Sequence, residues 1–193
     1  DSKATELVTS IYNQFLSWDM SSFGWNAVTS IISDDADKGS DPGDTGADKD
    51  VIDALTYNAS TPSFESVWKA NYAGINRCNQ ALFYIPQLNQ ANEGLRNRLI
   101  GETKFLRAVM YFNLVRIYGG VPLVNKIPSP SSEEDRIMQL TRKSKEEIYA
   151  FIEQDLTDAI AVLPEKSAYP ANVVARASRG AALTLLAKVS LYQ

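Results

Sequence analysis

"KFLRAVMYFNLVRIYGGVPLV", residues 104–124, is the stretch that decides the fold. On a helical wheel Arg107, Tyr111, Leu114 and Tyr118 share one sector, Asn113 and Arg116 fall on others, and apolar residues fill the gaps all round. A helix that is apolar on most faces needs neighbours on more than one side, so this stretch predicts the middle of a helical stack. Its stop is also written in the sequence. Gly119 tolerates left-handed backbone just past the last turn, and Pro122 prevents the helix from resuming.

Working outward, period and capping signals predict helices over residues 3–18, 23–33, 63–85, 93–118, 143–163 and 173–193, with almost no strand signal. Thr61-Pro62-Ser63 opens one of them and Pro86 closes it, while Ser144 with Glu147 offers a capping box for another that Pro164 ends. The last helix, "RASRGAALTLLAKVSLYQ" at 176–193, repeats the character of the first. Sliding one onto the other sets Ala108 on Ala182 and Tyr118 on Tyr192. That spacing is about twice the roughly 34-residue tetratricopeptide period, with an insertion. The fold class is therefore all-α, a tetratricopeptide-like stack of helix pairs (an α-solenoid) with long loops.

The loops are two. "SDDADKGSDPGDTGADKD", residues 33–50, is the Asp-rich part of an acidic loop insertion over 34–62, and "GGVPLVNKIPSPSSEED", residues 119–135, begins a Pro-rich connector over 119–142 that reads as extended. Both lie within one helical domain, 1–193. The last helix runs to Tyr192-Gln193 without a cap residue, so the chain is expected to be a fragment of a longer one.

Composition excludes several classes. The formal net charge is −4 with no basic stripe, which argues against nucleic acid as a partner. There is no histidine, so histidine-dependent triads and most zinc sites are absent. The single cysteine, Cys78, forbids an internal disulfide and sits in an apolar helical pattern, which predicts a core thiol. Arg107, Asn113 and Arg116 interrupt the longest apolar run, so nothing reads as a membrane span. The first residues carry no signal-peptide core: either the mature chain begins at a helix or an upstream segment has been removed.

Four stretches, "SDDADKGSDPGD", "VWKANYAGINRCNQAL", "GETKFLRAVMYFNLVRIYGGVPLV" and "ARASRGAALTLLAKVSLYQ", together resemble the N-terminal, tetratricopeptide-like half of the SusD/RagB family. The resemblance implies a nutrient-binding surface lipoprotein of the outer membrane in Bacteroidetes. Such a protein has no catalysis of its own; it captures oligosaccharide or polysaccharide and delivers it to a SusC-like TonB-dependent transporter. Family members are more than twice this length. The family's lipidated N-terminal cysteine has no counterpart here, since Cys78 lies mid-chain, so membrane anchoring is an implication of the resemblance alone. The alternative is a protein- or peptide-docking tetratricopeptide-like module without sugar binding. A glycosidase reading rests only on carboxylate neighbours such as Glu146 with Glu147 and Glu153 with Asp155, which a polar helix face explains.

The acidic loop is the chemically loaded feature, with Asp34, Asp35, Asp37, Asp41, Asp44, Asp48, Asp50 and Asp53 against Lys38 and Lys49. Structural turn chemistry is the leading reading, beside divalent-metal binding and sugar-hydroxyl recognition. A metal, if any, would fall to Asp34, Asp35 and Asp37. Such oxygen density suits Ca²⁺, but the spacing does not fit the helix–loop–helix calcium pattern, and no cofactor is predicted. Within the resemblance, the ligand-binding candidates are Trp25 and Tyr57 as aromatic platforms flanking loops, with Asp41, Asp44 and Asn58 as hydrogen-bonding groups. Trp68 reads as packing against Tyr72 and Ile75, and Trp18, at the end of the stripe Leu7, Ile11, Phe15, reads as core. Arg107 and Arg116 read as structural ion pairs with carboxylates such as Glu102.

Overall fold

The computed structural model describes residues 2–41, 44–88, 92–173 and 175–193. In chain order the helices are α1 (Ser2–Gln14), α2 (Trp18–Ser21), α3 (Phe23–Asn26, running into a π turn at Ala27–Ile31), α4 (Ala47–Asp53), α5 (Pro62–Tyr84), α6 (Glu93–Tyr118), α7 (Glu133–Leu140), α8 (Lys145–Val162) and α9 (Arg179–Ser190). Among the described residues the only extended pairing is an isolated bridge between Pro122 and Arg142. The all-α reading holds. The chain forms two compact units, one of Asp1–Tyr12 with Gly74–Gln193 and one of Asn13–Ala73.

In the first unit α6 is the central helix. Leu106 to Ala108 and Met110 to Val115 are buried in near-continuous succession, as the all-round apolar pattern requires. α6 packs on α8 and touches α9, and α8 packs on α9. Leu99, Met110 and Leu114 are fully buried, each stabilising the stack by roughly 2 kcal/mol relative to exposure. Ala159, Leu163, Ala177 and Ala182 form a cluster of mostly small residues between α8 and α9, with Phe105 and Ile160 against it. Cys78 is buried in the core, and burial pushes its thiol up to about 12, so it is inert at neutral pH.

The stop after α6 works as a hinge in the chain path. Gly119 has a φ of +73° and its N–H donates to Val115 O at 3.0 Å. At Gly120 a Cβ would lie 2.2 Å from Lys143 O, so only glycine lets the returning chain come this close. Lys143 N–H donates to Val121 O, and the Arg142 guanidinium donates to Tyr118 O and Gly120 O. Ser144 and Glu147 then close the reciprocal capping box at the start of α8.

Several expectations need correction. The acidic loop is not loop throughout, because α4 forms inside 34–62. Gly46 at φ +109° precedes it, and Asp48 and Asp50 in its first turn complement the helix dipole. The connector over 119–142 likewise holds α7, started by Ser132, whose hydroxyl accepts from Asp135 N–H. α1 stops at Gln14 rather than 18, and the expected 23–33 helix is a short α turn followed by a π turn. The final helix begins at Arg179, capped by Ser178, rather than at 173. Pro42 and Gly43 of the acidic loop, and Val174 of that predicted helix, lie outside the described residues.

Candidate functional site

Exposed aromatic rings occur in both units, Phe83, Tyr84 and Tyr192 in the first and Trp18 and Tyr57 in the second, and the residues singled out from the sequence fall in the second. After α1 the chain turns tightly, with Leu16 N–H on Asn13 O and Ser17 N–H on Gln14 O, while the Gln14 amide donates to Ala70 O. The helical period is broken at this turn, so Trp18 leaves the core stripe and is 65% exposed, a correction to its expected packing role. It starts α2 instead. Its ring lies 5.7 Å from Phe23, and Lys49 Nζ sits 4.1 Å from the Phe23 centroid. Lys49 is itself held by both Asp48 oxygens, and Asp48 accepts from the Ser63 hydroxyl. Trp18 is thus buttressed by a ring and an ion pair. Trp68 is half-buried and pairs with Tyr72 at 5.0 Å, as its packing reading expected.

Tyr57 is the second platform, 40% exposed and 5.3 Å from Phe64. Two turns aim it. Asn58 Oδ1 accepts from Ser60 N–H, and Asn58 N–H donates to Thr61 Oγ1, fixing the approach to α5. Upstream, Leu55 N–H bonds Ile52 O and Thr56 N–H bonds Val51 O, the double bond of a Schellman stop. That stop calls for glycine, yet Leu55 occupies it at φ 53° with 65% exposure. A left-handed leucine costs about 1 kcal/mol or more and buries little here in return.

The acidic segment is organised by Lys38. Its ammonium donates to Asp44 and Asp50, each at 2.7 Å, and its backbone N–H donates to Asp53 at 3.2 Å. Its side chain is 5% exposed, so the loop folds over the lysine. Bonds to Asp44 and then Asp50 raise the Lys38 pKa, and bonds from Lys38 and Ser40 hold the Asp44 carboxyl below the usual range. Asp34, Asp35, Asp37 and Asp41 are exposed, and Asp35 N–H bonds the Ser33 hydroxyl. Among the described residues no three acidic, cysteine or histidine side chains are grouped to hold a metal ion.

The sequence candidates are therefore spread within this unit. Asp44 is bound into the Lys38 cluster, Asp41 lies exposed beside it with its carbonyl accepting Asp44 N–H, and Tyr57 and Asn58 share the turn before α5. Trp25 is half-buried on α3. Trp18 and Leu55 were missed. Ser17 before Trp-Asp, a helix-start pattern, was the available signal for Trp18.

The polar residues of α6 belong to a different kind of site. Arg107 does not meet Glu102; its fork donates to both oxygens of Asp155 at 2.8 and 2.9 Å, to Asn79 Oδ1 at 2.8 Å and to Asn125 O. Asn79 Nδ2 donates to Val124 O and Lys126 O, and the Tyr111 hydroxyl accepts from Val124 N–H at 2.8 Å. Arg107, Asn79 and Tyr111 each bond the connector, and Arg107 also ties it to α8 through Asp155. Glu102 is paired instead with Arg98 and Arg176. Arg116 is exposed and donates to Phe112 O and Asn113 Oδ1, so the expected ion pair for it is replaced by contacts within its own helix.

The helices form a tetratricopeptide-like all-α fold, and that is the class the structure defines. The comparisons give the class a family. Residues 7–191 match the SusD-like family described as starch-binding and associating with the outer membrane, and the chain belongs to it. SusD-like protein P2 of Formosa agariphila is 29% identical over 163 residues, covering 83% of this chain and 31% of the relative. A solved laminarin-binding SusD-like protein is 29% identical, with a TM-score of 0.85, and covers all of this chain and 40% of that one. A SusD-like carbohydrate-binding protein of Bacteroides fragilis is 31% identical, with a TM-score of 0.62 over 70% of this chain and 25% of that one. The chain thus spans less than half the length of these relatives. Among the described residues no helix is long and apolar enough to cross a membrane.

Proposed function

We propose that this chain is part of a non-catalytic protein that captures oligosaccharide at the outer-membrane surface, held there by a lipid anchor, and passes it to a SusC-like TonB-dependent transporter. The observation that carries the reading is the 65% exposed Trp18, braced by Phe23 in a chain of the starch-binding family. Sugar rings have apolar C–H faces that stack on such rings, and Tyr57 offers a second one. Asn58, next to Tyr57 in the chain, and the exposed Asp41 carry oxygens of the kind that take hydroxyl hydrogen bonds. The related laminarin-binding protein makes β-glucan the first ligand to try.

The test is titration calorimetry of the whole protein with a panel of oligosaccharides beginning with laminarihexaose, alongside Trp18→Ala and Tyr57→Ala. Trp18→Ala is expected to weaken binding about 5- to 150-fold, from loss of stacking and buried area worth roughly 1–3 kcal/mol. Full affinity in both variants would move the sugar site off this surface. No glycan binding at all would leave protein docking as the function.

A further inference from the structure

We infer that the exposed aromatic surface of the second unit takes an uncharged glycan and turns away glycans bearing carboxylate or sulfate. The inference rests on the glycan-binding reading above and adds the substrate class. Residues 13–73 hold ten acidic residues and three lysines, a net charge of −7, against −4 for the whole chain. The remainder of the chain therefore carries +3. All nine arginines lie outside residues 13–73. The planar guanidinium fork is the side chain best matched to a carboxylate or sulfate, and this unit has none.

The three lysines are already committed. Lys38 is held between Asp44 and Asp50 with 5% of its side chain exposed, and Lys49 lies on Asp48 with 10% exposed. Lys69 is exposed but sits 2.6 Å from Glu65 on the same helix. A uronate or sulfate group reaching Trp18 or Tyr57 would meet like charge and no unclaimed cation among the described residues of the unit. At low salt that repulsion extends over about a Debye length, roughly 10 Å at 0.1 M. A neutral sugar meets no such barrier, and ionised carboxylates accept its hydroxyl protons without needing a counter-charge.

The test uses the whole protein in affinity electrophoresis and calorimetry. One set of probes is neutral (laminarin, starch, xyloglucan), the other anionic (polygalacturonate, alginate, dextran sulfate), and laminarihexaose is compared with the same hexasaccharide oxidised to the uronic acid at C6. Titrations run at about 20 mM and about 500 mM salt, which changes the screening length several-fold. The expected result is binding to a neutral glycan, insensitive to salt, with the oxidised form at least roughly tenfold weaker at low salt and recovering at high salt. The triple change Asp34→Asn, Asp35→Asn, Asp37→Asn is expected to narrow the neutral-to-anionic ratio. Binding of an anionic glycan as tightly as, or more tightly than, any neutral one at low salt would overturn the selectivity and leave glycan binding standing. Binding to neither set would overturn both.

Discussion

Two cationic hubs hold this protein's loops, and they differ in depth. Arg107 is 5% exposed and faces an Asp155 that is 3% exposed, drawing together Asn79, the connector carbonyls and α8 from positions far apart in sequence. Lys38 is as well covered, but its partners Asp44 and Asp50 are 40% and 41% exposed and lie within 12 residues of it. The first hub is a dry, bidentate, long-range lock; the second is a wet, local one. A lock of the first kind fixes the scaffold, because any loosening exposes a charge with no solvent to receive it. A lock of the second kind can be rebuilt by changing a few neighbouring residues.

The largest effect is expected on breaking the first hub. Arg107→Ala leaves Asp155 buried without a partner and frees Asn79 and the Asn125 carbonyl, and removing one member of such a pair costs about 3–5 kcal/mol. Arg107→Lys keeps the charge but not the fork, so it is expected to recover only part of that loss. Urea unfolding of the whole protein measures both. A loss under about 1 kcal/mol for the alanine variant would show that the hub is no deeper than Lys38.

Next in size is Tyr111→Phe. The hydroxyl accepts from Val124 N–H and donates to Val124 O, so its removal takes the partner from the Val124 N–H of the half-buried connector, while Val124 O keeps its bond from Asn79. The expected loss is about 1–3 kcal/mol. Burial, the largest cause, raises the Tyr111 pKa even though Val124 and Arg107 act the other way, so the phenol stays protonated across the physiological range. The same unfolding experiment at pH 6 and pH 9 should then give one value for the difference between wild type and variant.

The contrast between the hubs also sorts what was legible in the sequence. Local signals could be read directly: the Ser144–Glu147 capping box, the Gly119 stop and the all-round apolar face of α6 stand where they were expected. Glu102, five residues from Arg107, was the natural guess for its partner, but an i,i+5 pair does not share a helix face, and Asp155 is 48 residues away where no sequence period reaches. Trp18 shows the opposite failure. The stripe Leu7, Ile11, Phe15 was real, but the turn at Asn13–Ser17 carries neither Gly nor Pro, so the one local sign that the period ends before the tryptophan was the helix-start pattern of Ser17 before Trp-Asp. α4 and α7 were hidden because Asp-rich and Pro-rich composition outweighed short capping signals at Gly46 and Ser132.

Leu55 sharpens the comparison from the side of the surface. Leu55→Gly satisfies the left-handed stop at its natural residue, so it is expected to stabilise the protein by about 1 kcal/mol, the strain a leucine carries there. If the exposed leucine is kept for its contact with ligand, the same variant binds glycan more weakly while melting higher. A gain in stability with unchanged affinity would mean that the strain serves no contact and that Tyr57 is aimed by Asn58 alone.

The smallest effect on global stability is expected at the second hub, and it is the one that pH controls. The Asp44 pKa is lowered chiefly by its bond from Lys38, so its contribution is present above the ordinary carboxylate value of about 4 and is lost as pH falls through the lower folded value. The Lys38 pKa is raised by Asp44 and Asp50, so that contribution is present below the ordinary lysine value of about 10.4 and is lost as pH rises through the higher folded one. Between these limits the acidic segment is clamped. Lys38→Met keeps the stem and removes the clamp, so amide exchange and protease cleavage at residues 33–46 should quicken several-fold at neutral pH while the unfolding midpoint stays near wild type. In the wild type the same acceleration should be absent at neutral pH and appear on the acid side below about pH 4. Should Lys38→Met lower the midpoint as far as Arg107→Ala does, the two hubs are equals and the division between fixed scaffold and changeable surface fails.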